Sequence, residues 1–422
     1  MEAFEQALAV GTQKAGASKV AHGIIVAAID SSGMIESSMI RTMTPNITYR
    51  TSGEYIYQNT AGYTSVQPGA LPVKFNNALV LASCTKLITT IAALQCVDRG
   101  LITLDEPIGP YLPELSDPQV ISYDSASEKG TSAFKLNPAK TEITLRQLLN
   151  HSSGLGYDLG EPVLEAWRES RGETPLSLYA RVVEAFSTPL LFEPGTKWVY
   201  GAGIDWAGLL ICRLAERISL ENYFLDNIFE PLGMTSTTFH LWFKPEIIPR
   251  FLQPAYRLPD GSLIPGILPY PHPPADEYGG NGLLSCVPDY MRILHDLISP
   301  TPVLLKPETV ALIFEPQFEQ GSGQMSNLYM HQSLFANSAG GHIGDLKINY
   351  GLSALLMMED VPRTGAKKGT LAWGGLPNIM WWANREHGVA GMYATQVIPH
   401  SDKKNTELFA LFQKSIWKMI EK

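Results

Sequence analysis

The sequence predicts an α/β (α+β) fold: an antiparallel sheet built from both ends of the chain and flanked by helices, with a large, mostly helical lobe inserted between the sheet segments. Three observations predict it. Strand-sized apolar runs open the chain (HGIIVAAI) and return after about residue 345. From Ser83 onward, apolar residues recur at helical spacing. Between about residues 100 and 335, short helical segments alternate with Pro and Gly breaks.

Taken in order, residues 1 to about 18 read as an amphipathic helix. HGIIVAAIDSSGMIESSMIRTM then reads as two strands around a Ser-Ser-Gly turn, an early hairpin. Leu87, Ile91, Leu94 and Val97 mark one face of a helix that starts at Ser83 and stops at Gly100. TLRQLLNH, WAGLLICRLAERI and PDYMRILHDLI supply helices of the lobe. YGLSALLMM, GTLAWGG, NIMWWAN and VAGMYATQVI read as strands, the last two joined through Arg385, Glu386, His387 and Gly388. The closing TELFALFQKSIWKMI places Phe409, Phe412, Ile416 and Met419 on one helical face, suited to packing on the sheet. The expected organisation is therefore a discontinuous sheet domain, 1–82 with 340–422, and a lobe, 83–339, with the cleft at their junction.

Composition narrows the function. The 422 residues are 45% hydrophobic and 17% charged, enough to bury a sizeable core. A formal net charge of −9 opposes attraction to phosphate backbones, so nucleic acid is not an expected partner. No apolar run reaches 18 residues, so no membrane span is expected. MEAFEQALAVGTQKAGASKV lacks the basic start and long apolar core of a secretory leader, which predicts a cytoplasmic protein. Cys84, Cys96, Cys212 and Cys286 form no CxxC pair, so neither a zinc site nor a disulfide framework is indicated. A monomer is expected.

Ser-x-x-Lys places a helix-start serine and a lysine on one helix face, where free N–H groups and a nearby ammonium favour serine ionisation. The pattern occurs four times, at Ser83–Lys86, Ser132–Lys135, Ser401–Lys404 and Ser415–Lys418. Only Ser83 follows an apolar strand-like run and opens a long apolar helix; its plain alternative is a helix N-cap. An alcohol needs a proton acceptor, and a tyrosine serves when a cation stabilises its phenolate. Tyr200, in KWVYGAGIDWAG, is the candidate, although any one of 17 tyrosines can be a core aromatic. In GTLAWGGLPNIMWW, Gly375 admits a ligand close to a strand backbone or, alternatively, marks a β-bulge. His151 in LLNHSSGLGY suggests a Ser-His pair, but GxSxG is absent and a structural histidine is the preferred reading.

Ser83-Cys84-Thr85-Lys86, Tyr200-Gly201-Ala202 and Trp373-Gly374-Gly375, with HSSG at 151–154, stand in one order across nearly the whole chain. That order resembles the serine β-lactamase and penicillin-binding-protein superfamily, specifically its class C-like esterase and acyltransferase branch. Within the branch, LASCTKLITTIAALQCVDRGLITLDEP, ITLRQLLNHSSGLGY, KWVYGAGIDWAG and GTLAWGGLPNI look most similar to fungal polyketide acyltransferases of the lovastatin type. The resemblance implies transfer of a small acyl group from a thioester, on a synthase's acyl carrier domain or a soluble thiol, to an alcohol. It implies no metal and no cofactor.

By the same resemblance Ser83 is acylated, Lys86 and Tyr200 share the proton work with the formal base left open, and the oxyanion sits between the backbone N–H groups of Ser83 and Leu376. Trp373, Gly374 and Gly375 line the substrate. Ala202 and Trp373 stand where β-lactamases usually carry Asn and the Lys of Lys-Thr-Gly, so lactam hydrolysis is not expected. The runner-up is an esterase or thioesterase, with water in place of the alcohol. For an acidic carrier domain, Arg363, Lys367 and Lys368 are the expected docking patch near the cleft mouth; their alternative is an ordinary solvated loop.

Overall fold

The computed structural model describes residues 1–14, 16, 18–32, 55–123, 134–177, 179–267, 271 and 274–421. Its centre is a seven-stranded antiparallel sheet. In chain order the strands are β1 (Gly23–Asp30), β2 (Tyr57–Gly62), β3 (Ile348–Tyr350), β4 (Leu355–Met357), β5 (Leu371–Gly375), β6 (Ile379–Asn384) and β7 (Val389–Ala394). Their spatial order is β2-β1-β7-β6-β5-β4-β3, so the two ends of the sequence meet where β1 pairs with β7, Ile25 opposite Ala394.

Consecutive side chains on a strand point to opposite faces, and β6 shows what each face meets. Trp382 packs on Phe409 and Phe412 of α5 (Lys403–Ile420). Trp381 faces Tyr290 of α4 (Val287–Ile298) on the other side. With both faces covered, β6 is buried along its whole length. The opening helix α1 (Glu2–Gly11) joins α5 through Phe4 and Phe412, whose rings lie 5.0 Å apart.

Several expectations need correction. β1 lies between β2 and β7, and the second strand of the hairpin expected after Ser31-Ser32 lies outside the described residues. YGLSALLMM is not one strand: β3 ends at Tyr350 and β4 begins at Leu355, with Ser353 at φ 77° between them. VAGMYATQVI also breaks, after Ala394, and Val397–Ile398 pairs in parallel with Ala255 and Tyr256. Phe409, Phe412 and Ile416 are buried as expected, but Met419 is 37% exposed. The opening helix stops at Gly11. Of the lobe segments, WAGLLICRLAERI falls in α3 (Gly203–Leu214) and TLRQLLNH in the short helix Leu145–Leu149. PDYMRILHDLI forms α4, which packs on β1, β6 and β7.

Candidate active site

Ser83 sits in a tight 3-10 turn, Ala82–Cys84, that runs directly into α2 (Thr85–Asp98). α2 is apolar on most of its circumference, and Thr85 to Cys96 are all buried, as befits a central helix. Ala82, just before the serine, has φ 48°, a left-handed conformation seldom adopted by a residue with a side chain. Such strain persists where the surroundings over-determine it. Here Leu81 N–H donates to Leu283 O at 2.9 Å, and the Tyr290 hydroxyl donates to Cys84 O at 3.0 Å. Ser83 is partly exposed, whereas Cys84 beside it is buried and its thiol is pushed far up by burial, so it is no rival nucleophile.

Lys86 and Tyr200 both converge on Ser83. The Tyr200 hydroxyl donates to Ser83 Oγ at 2.7 Å, and Lys86 Nζ lies 3.5 Å from the same oxygen. Lys86 is buried, with Nζ 4.6 Å from the centre of the Tyr200 ring. Tyr200 is held by its chain neighbours: Val199 N–H donates to His151 O, and Ala202 N–H to Leu155 O. Gly201 is obligatory, because a Cβ there would meet Leu155 O at 2.0 Å.

Three further residues complete the arrangement, and none was singled out from sequence. Lys86 Nζ donates to Gly280 O at 2.7 Å and to the Tyr157 hydroxyl oxygen at 3.3 Å. The Tyr157 hydroxyl donates to Asp205 Oδ2 at 2.8 Å, and Gly280 N–H donates to Asp205 Oδ1 at 2.8 Å. Burial pushes the Asp205 carboxyl above its ordinary range, opposed first by the Lys86 charge. Burial and the Asp205 charge push the Tyr157 phenol well up. The available signal was Asp205 itself, a carboxylate between Ile204 and Trp206 in an apolar helix, which needs a buried partner.

His151 is structural in its geometry. It is buried, with φ 62°, and its Nδ1 accepts from Gly201 N–H at 3.4 Å. Burial, reinforced by the Lys86 charge, holds it well below the usual imidazole range, so it is neutral. Its ring backs Tyr200 at 4.9 Å.

The paired glycines of β5 differ in position. A Cβ on Gly375 would meet Leu81 O at 2.3 Å, so the strand end lies directly against the serine turn. A Cβ on Gly374 would instead meet Ile379 O at 2.4 Å and face Ser338. Trp373 shares the Gly375 face and is buried among Tyr200, Phe335 and Tyr350, at ring distances of 5.4, 5.9 and 5.6 Å. Leu376 opens the three-residue hairpin loop to β6, and Asn378 closes it at φ 56°, a conformation asparagine tolerates.

The other Ser-x-x-Lys pairs are elsewhere. Ser132 lies outside the described residues. Ser401 sits in the turn before α5, and Ser415 is inside α5, donating to Leu411 O. Lys367 and Lys368 precede β5, at the end opposite Gly375, and Lys367 pairs with Asp360 and Glu421. Arg363 donates to Gly340 O. Of the expected docking patch, Lys367 and Lys368 are therefore not at the serine end of the strand.

Residues 46–412 match the Beta-lactamase family, and the chain belongs to that family. Within it, the chain groups with polyketide acyltransferases. It is 41% identical over 398 residues to acyltransferase calJ of Penicillium decumbens, covering 94% of this chain and 93% of that protein. It is 33% identical over 385 residues to lovastatin esterase of Penicillium rubens, covering 87% and 93%. Among solved structures, simvastatin synthase (LovD6 mutant) of Aspergillus terreus superimposes with a TM-score of 0.84 at 30% identity, covering 100% of this chain and 97% of that one.

Proposed function

We propose that the protein is a serine acyltransferase that moves a small acyl group from a thioester to an alcohol in polyketide or related secondary metabolism. The observation that carries this reading is the convergence of Tyr200 and Lys86 on the Oγ of one partly exposed serine. Ser83 Oγ attacks the thioester carbonyl and gives up its proton to the Lys86–Tyr200 pair, while the N–H groups of Ser83 and Leu376 receive the oxyanion. The thiol leaves with that proton. The alcohol then attacks the Ser83 ester, its proton passes through the same pair to Ser83, and the new ester departs.

Trp373, Gly374 and Gly375 are assigned to the substrate. Trp373 and the buried Ala202 give the site apolar walls, which suit a hydrophobic acceptor and offer no charge to a lactam carboxylate. The donor is assigned to an acyl carrier domain or a soluble thiol. A monomer remains part of the reading. Among the described residues no helix is long and apolar enough to cross a membrane, and a cytoplasmic location remains part of the reading. The lobe 83–339 and the paired segments 1–82 and 340–422 are the assigned domains.

The similarity to lovastatin esterase supports a second reading, hydrolysis through the same acyl-enzyme. One experiment separates the two: a short acyl thioester is supplied with and without millimolar alcohols, and ester and free acid are quantified. Transfer predicts that ester dominates with a hydrophobic alcohol, and that penicillin-type and cephalosporin-type lactams are not turned over. Free acid outrunning ester with every alcohol supports hydrolysis.

A further inference from the structure

The two N–H groups assigned to the oxyanion come from separate parts of the fold. Ser83 lies in the turn after the short strand Ala78–Val80, whereas Leu376 lies in the loop between β5 and β6. Among the described residues neither N–H meets a hydrogen-bond acceptor, so both are free to receive a charged oxygen. The strand end and the serine turn touch, since a Cβ on Gly375 would meet Leu81 O at 2.3 Å. What fixes the gap between the two donors is a third segment.

Residues 396–402, which follow β7, reach both sides. Gln396 is fully buried and turns its carboxamide on Val80, three residues before Ser83. Its Oε1 accepts from Val80 N–H at 3.1 Å, and its Nε2 donates to Val80 O at 3.2 Å and to Thr395 O at 2.9 Å. Asn378, two residues after Leu376, is equally buried and returns to the same segment. Its Nδ2 donates to Val397 O and Pro399 O, each at 2.7 Å, and its Oδ1 accepts from Asp402 N–H at 3.0 Å. Both amides thus commit two donors and an acceptor to backbone groups, all that a carboxamide offers in a single plane.

The segment is itself anchored away from the site. Asp402 caps α5 by accepting from Asn405 N–H at 3.0 Å, and it pairs with Arg257. Val397 and Ile398 pair with Ala255 and Tyr256, and His400 Nε2–H donates to Leu334 O at 2.9 Å. The hairpin does not require the Asn378 side chain, because glycine also adopts its φ of 56°. That side chain therefore serves the distance between the loop and residues 396–402.

From this geometry we infer that Asn378 and Gln396 are positioning residues that set the separation of the Ser83 and Leu376 N–H groups, fitting them to the oxyanion. The inference rests on Ser83 being acylated and on these two donors receiving the charge. In that step the Ser83 Oγ electron pair bonds to the acyl carbon, the C=O pair moves onto oxygen, and the Ser83 proton passes to the Lys86–Tyr200 pair. The carbonyl re-forms as the thiol leaves with that proton. Fully buried, Asn378 and Gln396 act on this step only through the backbone they hold. A donor moved from its place weakens the bond to the oxyanion more than it weakens substrate binding.

The test compares Ser83 acylation by p-nitrophenyl butanoate and by its thiono analogue, in which sulfur replaces the carbonyl oxygen. Sulfur is larger and a weaker acceptor, so it gains little from donors placed for oxygen. Quenched-flow mass spectrometry gives the maximal rate and half-saturating concentration in wild type, Asn378→Gly and Gln396→Met. Glycine keeps the loop conformation and methionine keeps the side-chain length. The ester rate is expected to fall about 10-fold or more in each variant, short of the roughly 10²–10³ lost with a whole donor. Half-saturation should change little, and the thiono rate should fall less, so the ester-to-thiono ratio shrinks. The two variants act at opposite ends of one brace, and either carries the test if the other does not fold. Equal slowing of both substrates, the mark of a merely structural role, overturns the inference, as does an unchanged ratio. A wild type with no adduct on Ser83, or preferring the ester no more than hydroxide does, overturns the acyl-enzyme reading beneath it and the inference with it.

Discussion

Tyr157 and Asp158 are adjacent in the chain yet feed two buried charge networks of different design. Asp158 is fully buried and accepts from Arg168 Nε at 3.0 Å, from the N–H groups of Leu176 and Ser177, and from the Ser177 hydroxyl. Arg168 spends its remaining donors on Glu173 and on the carbonyls of Glu184 and Ala185. Every strong group in that network is answered from within the fold. The Tyr157 network is also buried around Lys86 and Asp205, but one Lys86 position is left facing a partly exposed serine at 3.5 Å. The two networks differ in that single position, which in one is taken up inside the fold and in the other faces Ser83, not in the amount of charge buried.

The comparison is sharpened most by Tyr200→Phe, which leaves both charge networks intact but removes the hydroxyl at Ser83. Acylation should fall by about 10²-fold or more, the scale of general acid–base work, with thermal stability nearly unchanged. Near wild-type acylation in this variant would put Tyr200 among the packing aromatics and leave Lys86 as the base. Next in size is Arg168→Met, which strands Asp158 as an unpaired buried carboxylate. Denaturant melts should show a loss of about 3–5 kcal/mol, while the folded fraction acylates at the wild-type rate. A variant as stable as wild type but catalytically weak would break the division between the two networks. Lys86→Met should show both defects together.

A smaller effect separates the site's neutral histidine from its charges. Burial holds His22 down at about 4 and His151 well below its ordinary range, so neither takes up a proton in the native state where the unfolded chain does, near pH 6.5. The unfolded state then binds more protons, and stability falls as the pH drops from about 6.5 toward about 4. Asp205, raised by burial, acts with the opposite sign, its cost being relieved as the pH falls. The melting temperature should therefore decline between about pH 7 and pH 5, and less steeply in His22→Gln. A flat profile, or equal slopes in the two proteins, would remove the histidines from the account.

Much of this was legible in sequence, for physical reasons. Ser83, Lys86 and Tyr200 are motif residues whose spacing reports a shared helix face or a turn, both local properties, and the structure brings them together. The strands β5 to β7 stood out because both their faces are buried and they read as continuous apolar runs. Tyr157 and Asp205 did not, because their meaning lies in a contact between residues 48 positions apart. β2 was missed because Gln58, Asn59 and Thr60 lie on an edge strand, where polar side chains are tolerated and no apolar pattern is required. Arg363, Lys367 and Lys368 were placed near the cleft from their closeness to GTLAWGG in sequence, but Lys367 and Lys368 lead into the end of that strand opposite Gly375. Ser401 and Ser415 repeat the Ser83 spacing without a free helix start facing a cleft, and both should be dispensable.

The central claim, that Ser83 alone carries the acyl group, is tested most directly by trapping the intermediate. Wild type, Ser83→Ala, Ser401→Ala and Ser415→Ala are incubated with a short acyl thioester without acceptor, quenched, and mapped by peptide mass spectrometry. The predicted result is one acyl mass on the peptide containing Ser83 in wild type, Ser401→Ala and Ser415→Ala, which disappears on adding an alcohol. Ser83→Ala should show no adduct while melting close to wild type, since a helix-start serine is worth about 1 kcal/mol. An adduct on another residue, or turnover surviving in Ser83→Ala, would contradict the account.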